Sequence, residues 1–243
     1  MLKGKVGVVV GGAGYLCSTL AEAMMESGME VAIIDIKPSA LKKSETPVMG
    51  LVCDVTKKSE LQRCHDEILK RFGRIDALLN GAGVNAPTPF MDITEDEIHR
   101  IFDSHLTATL LACQVFGKTM LKQKQGSIVN FASASSGPPL SKAFVYSVAK
   151  AGIANLTQNL GREWATSNVR VNALRPGFFP TDWSMKNFID DDRKNKILGH
   201  TPMGRFGKPE ELVGAVLWLV SDAASFVTGS IVAVDGGFTA MTI

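Results

Sequence analysis

The chain is short of the features that mark exported, membrane-bound or nucleic-acid-binding proteins. Its four cysteines, Cys17, Cys53, Cys64 and Cys113, are scattered with no C-x-x-C spacing. That excludes a zinc-site pattern or a disulfide framework, and the four read as reduced core thiols. The formal net charge is only +2, which gives no electrostatic reason for a nucleic acid or an anionic membrane as partner. No apolar run approaches a membrane span, and glycines interrupt the lysine-flanked run of "MLKGKVGVVVGG" too early for a signal sequence. Repeats, low-complexity tracts and linkers are missing too. What remains is one cytoplasmic domain, residues 1–243, acting on a small molecule, with no metal, nucleic-acid or membrane partner expected. Its 45% hydrophobic and 21% charged residues are those of an ordinary globule long enough to bury a sizeable core.

What the chain does have is alternation. Short apolar runs recur at "VGVVV" (6–10), "VAIID" (31–35), "VMGLVCD" (48–54), "IDALLN" (75–80), "GSIVNFA" (126–132), "VRVNAL" (169–174) and "SIVAVD" (230–235). Apolar residues on consecutive positions suit strands buried on both faces, as in a parallel sheet covered by helices. The helices lie between the runs. Leu20, Met24 and Met25 recur at helical spacing with Gly28 as a stop, and Thr94 with Asp96 and Glu97 opens a second pattern that runs to about residue 121. Alternating β and α gives an α/β fold, a doubly wound parallel sheet of about seven strands.

The first strand-to-helix junction is a glycine turn, "GGAGYLC" (11–17). Such glycines allow a tight turn, close approach of backbone N–H groups to a pyrophosphate, and close packing of helix on strand. Gly12 and Gly14 suit the first two. At the third place Cys17 is small and apolar, so the helix needs only a small outward shift. Asp35 ends the second strand about twenty residues on, where a carboxylate accepts hydrogen bonds from an adenosine ribose and repels a 2'-phosphate. This favours NAD over NADP, and Lys37 nearby weakens the preference without reversing it. Asp54 and "NGAG" (80–83) close two further strands at the same edge. Taken singly, the glycines also fit a plain strand–helix connection and Asp35 a solvated strand end.

"YSVAK" sets Tyr146 and Lys150 four residues apart, on one face of a helix. A lysine cation near a phenol favours the phenolate and lowers its pKa toward the range of a working acid or base. Ser133 follows the fifth strand, thirteen residues before Tyr146, where its hydroxyl can bond the same substrate oxygen.

Together, "NGAG", the Ser133–Tyr146 interval, "YSVAK", "RVNALRPGFFPT" and "VTGSIVAVDGG" resemble the short-chain dehydrogenase/reductase family along nearly the whole chain. The resemblance implies a single-domain Rossmann fold, a seven-stranded sheet in the order 3-2-1-4-5-6-7, NAD(P)-linked chemistry on an alcohol/carbonyl pair, and commonly a homotetramer. It implies roles as well: Tyr146 as acid/base, Lys150 lowering its pKa and holding the nicotinamide ribose, and Ser133 polarising the carbonyl. On the cofactor, Gly11, Gly12, Gly14, Tyr15, Leu16 and Asp35 would line the adenosine-pyrophosphate side, with Asp54 and Val55 near adenine. Asn80, Gly81 and Ala82 would follow the ribose, and Pro176, Gly177, Phe179 and Thr181 would hold the nicotinamide end. For assembly, the resemblance implies that the helix of about 94–121 and the one that carries Tyr146 commonly pair across a twofold axis; Leu106, Leu110, Val115, Ile153 and Leu156 give them apolar faces, which packing against the sheet would use equally.

The chain departs from the family turn T-G-x-x-x-G-x-G at Val10, Tyr15 and Cys17, and resembles the mannonate/fructuronate type of sugar-acid reductase in carrying its glycine one place early, at Gly14. His105 stands where the family has an asparagine that completes a catalytic tetrad; it can bond the same water, titrate near neutral pH and adjust the proton relay, or simply pack. His65, His99 and His200 have no arguable partner and read as surface or capping residues. A substrate lid is expected at about 181–205, mixing Trp183, Met185 and Phe188 with Lys186, Arg193 and Lys194. Asn85, Ser135, Lys142 and Trp183 are the further substrate candidates, since a mixture of amide, hydroxyl and cation suits the polar groups of a sugar acid. Three functions are in play: a reductase/dehydrogenase of a sugar acid, keto sugar or polyol; one of a 3-oxoacyl thioester or hydrophobic ketone; and a non-catalytic dinucleotide-binding protein.

Overall fold

The computed structural model describes residues 2–37, 48–137 and 140–241. Seven parallel strands form one sheet: β1 (Val6–Val10), β2 (Glu30–Asp35), β3 (Met49–Val52), β4 (Ala77–Asn80), β5 (Gly126–Phe131), β6 (Val169–Pro176) and β7 (Ile231–Val234). Their order across the sheet is β3-β2-β1-β4-β5-β6-β7. Every residue of β1, β4 and β5 is buried, as consecutive apolar positions require of strands covered on both faces. The helices are α1 (Tyr15–Glu26), α2 (Lys58–Phe72), α3 (Glu95–Phe102), α4 (Ala108–Gln123), α5 (Phe144–Trp164), α6 (Asp182–Asn187), α7 (Asp191–Gly199) and α8 (Val213–Val220). On one face of the sheet Ile68, Phe116 and Ile128 pack together; on the other, Leu20, Leu79 and Leu219 do so.

Register sets the functional edge. Val10 lies beside Ile34 and Asn80, and Asn80 beside Asn130, so the carboxyl ends of β1, β2, β4 and β5 are level. Chain direction across the sheet reverses between β1 and β4, the kind of switch point where open α/β sheets take ligands. At the opposite end Arg74 grips Asp76, with Nε 2.8 Å from Oδ2 and Nη2 2.6 Å from Oδ1. Asp76 also accepts the Val6 N–H at 2.8 Å.

Two expectations need correction. The helix read as continuous over about 94–121 begins as expected, with the Thr94 hydroxyl accepting the Glu97 N–H at 3.2 Å. It is then interrupted by a π-helical turn, Asp103–Thr107, centred on His105. Such turns are rare insertions in α-helices and cluster at functional sites. His65, read as a surface or capping residue, is buried at 6% exposure with its Nε2 2.8 Å from the Thr119 hydroxyl.

Candidate active site

A cavity of about 630 Å³ opens at the carboxyl edge, between β4, β5, β6 and the segment that contains α6 and α7. β5 delivers Ser133 to its floor, and the first two turns of α5 deliver Tyr146 and Lys150. Ser133 starts a short 3-10 turn, and its Oγ accepts both the Ser135 N–H at 3.2 Å and the Ser135 hydroxyl at 3.1 Å. A hydroxyl that accepts twice keeps its own proton to donate. Lys150 is buried; its Nζ donates to the Phe131 carbonyl at 2.6 Å and lies 5.6 Å from the centroid of the Tyr146 ring.

His105 closes the other side. Its ring meets Tyr146 edge-on with centroids 5.1 Å apart, and Nε2 is 2.8 Å from the Val84 carbonyl. Since a carbonyl only accepts, Nε2 carries the proton, and the buried Nδ1 has no partner among the described residues. Gly83 makes room for this ring. Its φ is 152°, and a Cβ there would run into the His105 imidazole.

Of the expected substrate residues, Asn85, Ser135 and Trp183 line the cavity, whereas Lys142 does not. The Lys142 ammonium is paired with Asp190 at 3.1 Å on the surface. Of the expected cofactor residues, Leu16, Gly81, Pro176, Gly177, Phe179 and Thr181 line it. Two arginines join them. Arg193 falls within a segment already expected over the substrate, but Arg100 on α3 carries no motif and was missed. Arg100 and His105 line one cavity on either side of the start of the π turn, and no composition or spacing announces that turn.

Residues 15–239 match the family model described as "Enoyl-(Acyl carrier protein) reductase". The uncharacterized oxidoreductase UxuB of Bacillus subtilis is 40% identical, over 98% of this chain and 96% of that protein. An NAD-dependent glycerol dehydrogenase of Listeria innocua is 36% identical over 97% and 94%. The chain belongs to the short-chain dehydrogenase/reductase family. A solved relative, a gluconate 5-dehydrogenase from Burkholderia cenocepacia in complex with NADP and tartrate, superposes with a TM-score of 0.93 at 27% identity, covering 99% of this chain and 97% of the other. As a short-chain dehydrogenase/reductase the protein is an NAD(P)-linked oxidoreductase of alcohol and carbonyl groups, and the non-catalytic reading is set aside.

The altered glycine turn of this short-chain dehydrogenase/reductase keeps its shape. Gly11 has φ 74°, and a Cβ on it would come 2.7 Å from the Ala82 backbone, so the turn lies flush against the end of β4. Gly14 caps α1 without a side-chain bond, and no acidic residue occupies the first turn. The positive end of the helix is therefore open to an anion. Tyr15 is half exposed, clear of the turn's interior. Cys17 is buried where a Cβ on Gly81 would strike its sulfur, so the missing third glycine is matched by one across the gap. Asp35 accepts the Ala13 N–H at 3.0 Å and the Lys37 N–H at 3.0 Å, which ties the turn to the end of β2.

The side chains of Asn80 and Asp54 are also bonded within the scaffold. Asn80 is buried, its amide donating to Asn130 at 2.9 Å within the sheet, and it does not face the cavity. Asp54 accepts the Thr56 N–H at 3.1 Å and hydroxyl at 2.6 Å and holds Lys57 at 3.3 Å, fixing the loop into α2 with Val55 packed against the core.

Electrostatics at the centre follow from burial. Desolvation brings Lys150 down to about 8, and it brings His105 down to about 3, helped by the Lys150 charge. His105 is thus neutral throughout the physiological range, contrary to the expectation that it titrates near neutrality. Burial pushes the Tyr146 phenol above its ordinary value, and the Ser133 hydroxyl works in the opposite direction. The lowering expected from Lys150 is not what sets the phenol in the protein alone, where burial prevails.

Proposed function

We propose that this enzyme is an NAD-preferring oxidoreductase of a polyhydroxylated carbonyl/alcohol pair, a sugar acid, keto sugar or polyol. The observation that carries this reading is the convergence of Ser133, Tyr146 and Lys150 with Asn85 on one cavity at the carboxyl edge of the sheet. In the reductive direction Ser133 holds the substrate carbonyl oxygen, and the Tyr146 hydroxyl passes its proton to that oxygen. In the oxidative direction Tyr146 takes the proton back, with the Lys150 ammonium favouring the phenolate. Bound nicotinamide would supply or accept the hydride at the carbonyl carbon. The turn from Gly11 to Leu16 and the open end of α1 would hold its pyrophosphate, Asp35 its adenosine ribose, and Gly81, Pro176, Gly177 and Thr181 the nicotinamide half.

Asp35 supports NAD: each carboxylate oxygen accepts one backbone N–H and keeps a lone pair for a ribose hydroxyl, while its charge repels a 2'-phosphate. Asn85 supports a polyhydroxylated substrate. Its Oδ1 accepts the Ala86 N–H at 2.8 Å, and among the described residues its amide nitrogen keeps its protons to donate. Trp183, Phe188 and Ile189 give the cavity an apolar wall as well, which favours the second reading, a hydrophobic ketone or acyl thioester. Steady-state rates with NADH and NADPH on keto-hexonates, ketoses and a 3-oxoacyl thioester separate the two. Tyr146→Phe should cut kcat by about 10²- to 10⁴-fold on whichever class is used; a variant as active as the parent refutes the mechanism.

A further inference from the structure

The segment that roofs the cavity is held by very little. α6 buries no residue and α7 buries only Ile197. Among the described residues, no side chain of the segment 181–201 joins either apolar core. Yet Trp183, Phe188, Ile189 and Arg193 form one wall of the cavity. Two side-chain hydrogen bonds tie this segment to the rest of the described residues, and both end on one loop. Asp190 Oδ2 accepts the Lys142 ammonium at 3.1 Å, and Arg193 Nη1 donates to the Ser141 hydroxyl at 2.9 Å. Ser141 and Lys142 stand directly ahead of α5, Lys142 one helical turn before Tyr146. The wall over the substrate is thus pinned to the loop that delivers the acid/base.

Lys142 has φ 58°, a left-handed conformation that suits glycine or asparagine and strains a lysine. The backbone does not ask for this residue; what it adds is the ammonium. Asp190 divides its two oxygens: Oδ1 caps α7 by accepting the Arg193 N–H at 2.8 Å, while Oδ2 holds Lys142. The Arg193 N–H and the Lys142 ammonium keep Asp190 below the ordinary carboxylate range, so the pair is charged at neutral pH. The start of α7 and its tie to the catalytic loop both hang on one carboxylate.

We infer that Asp190 is a positioning residue: bonded to Lys142, with Ser141 and Arg193 beside them, it latches the α6–α7 segment over the cavity and sets how long substrate stays there. Ser141, Lys142 and Asp190 do not line the cavity, so they act through Phe188, Ile189 and Arg193 and not on the reacting atoms. An exposed ion pair and a hydroxyl bond are each weak, as a latch that opens at every turnover requires. Opening of so lightly buried a segment is local and leaves the sheet intact. The latch serves either substrate class.

The test uses the full-length enzyme and three variants that leave the cavity lining unchanged. Asp190→Asn keeps a helix cap and loses the charge; Lys142→Asn relieves the left-handed backbone and loses the ammonium; Ser141→Ala removes the second tie. Trypsin cleavage at Lys186, Arg193, Lys194 and Lys196, which needs the segment to open, should speed up about 2- to 10-fold in each, with the Tm close to that of the parent. KM for the keto-hexonate, ketose or 3-oxoacyl thioester that is turned over, at saturating NADH, should rise by the same factor, with kcat equal or higher. Ser141→Ala with Lys142→Asn should multiply the two effects; Asp190→Asn with Lys142→Asn should add nothing to either, since both break one bond. About 1 M NaCl should bring the parent toward Lys142→Asn and leave that variant unchanged. As a control, Asp192→Asn breaks an ion pair that stays within α7, Lys196 Nζ to Asp192 Oδ2 at 2.7 Å, and should alter neither cleavage nor KM. Cleavage of the segment at equal rates in parent and variants overturns the latch, as does a Tm that falls in step with faster cleavage all along the chain. An unchanged KM beside faster cleavage overturns its role in holding substrate. The proteolysis needs no substrate, so an error in the substrate class does not touch it.

Discussion

Gly83→Ala tests whether the histidine at the centre is built in or merely tolerated. At φ 152° an L side chain is strained, at roughly 1–3 kcal/mol. The new Cβ also falls on the His105 imidazole. Ordinarily a side chain swings aside, but this ring is buried, bonded to the Val84 carbonyl at 2.8 Å and wedged edge-on against Tyr146. Overpacking of that kind adds about 1–3 kcal/mol. The sum, roughly 2–6 kcal/mol, corresponds in a chain of this size to a Tm lower by about 5–20 °C. His105→Ala in the same background removes the collision and leaves only the backbone strain. The double-mutant cycle, measured by urea unfolding, should show a favourable coupling of about 1–3 kcal/mol. Additive effects, or a Gly83→Ala protein within about 0.5 kcal/mol of the parent, would refute the claim that glycine and histidine were fitted to each other.

Two titrations complete the set. Lys150 has a folded pKa of about 8, below the ordinary 10.5. The unfolded chain therefore binds the extra proton between those values, and stability rises with pH across that window. The rise from this group is about 3 kcal/mol; Lys150→Met should lack it, and parallel stability curves for parent and variant from pH 7 to 10 would refute the assignment. His105 falls to about 3 from 6.5, so its contribution is complete above pH 6.5 and is lost as the pH drops toward 3. Nitrogen-15 NMR should show one imidazole fixed in the Nε2–H tautomer with no titration between pH 5 and 8; a midpoint near 6.5 for His105 would contradict its burial.

What the sequence made legible was whatever the backbone alone determines. Val6–Val10 and Gly126–Phe131 are apolar on consecutive positions because helices cover both their faces, and they were readable as buried parallel strands for that reason. The four-residue interval of Tyr146 and Lys150 fixes one helical face whatever surrounds it. Arg100 was missed and Lys142 was expected in the cavity because where a side chain ends depends on partners distant in the chain. A surface carboxylate at Asp190 draws Lys142 out of the cavity, and Asn130 on the next strand draws Asn80 into the sheet. Arg100 sits on α3 and reaches the cavity wall without any motif that marks it.

Two of the departures from the family pattern, Cys17 and His105, each lie against a glycine, and both contacts are steric. Cys17 replaces a glycine in the turn, and Gly81 across the gap has no side chain to meet it; His105 replaces an asparagine, and Gly83 gives up its Cβ to the ring. Both glycines stand in one stretch, "NGAG", at the end of β4. That loop thus sets the width of the cavity at two points, one beneath the nucleotide turn and one beside Tyr146. A substitution there should disturb dinucleotide binding at Gly81 and proton transfer at Gly83 separately, although the two positions are neighbours in the chain. The physical reason is that each glycine answers to a different helix: Gly81 to α1 through Cys17, and Gly83 to the π turn through His105.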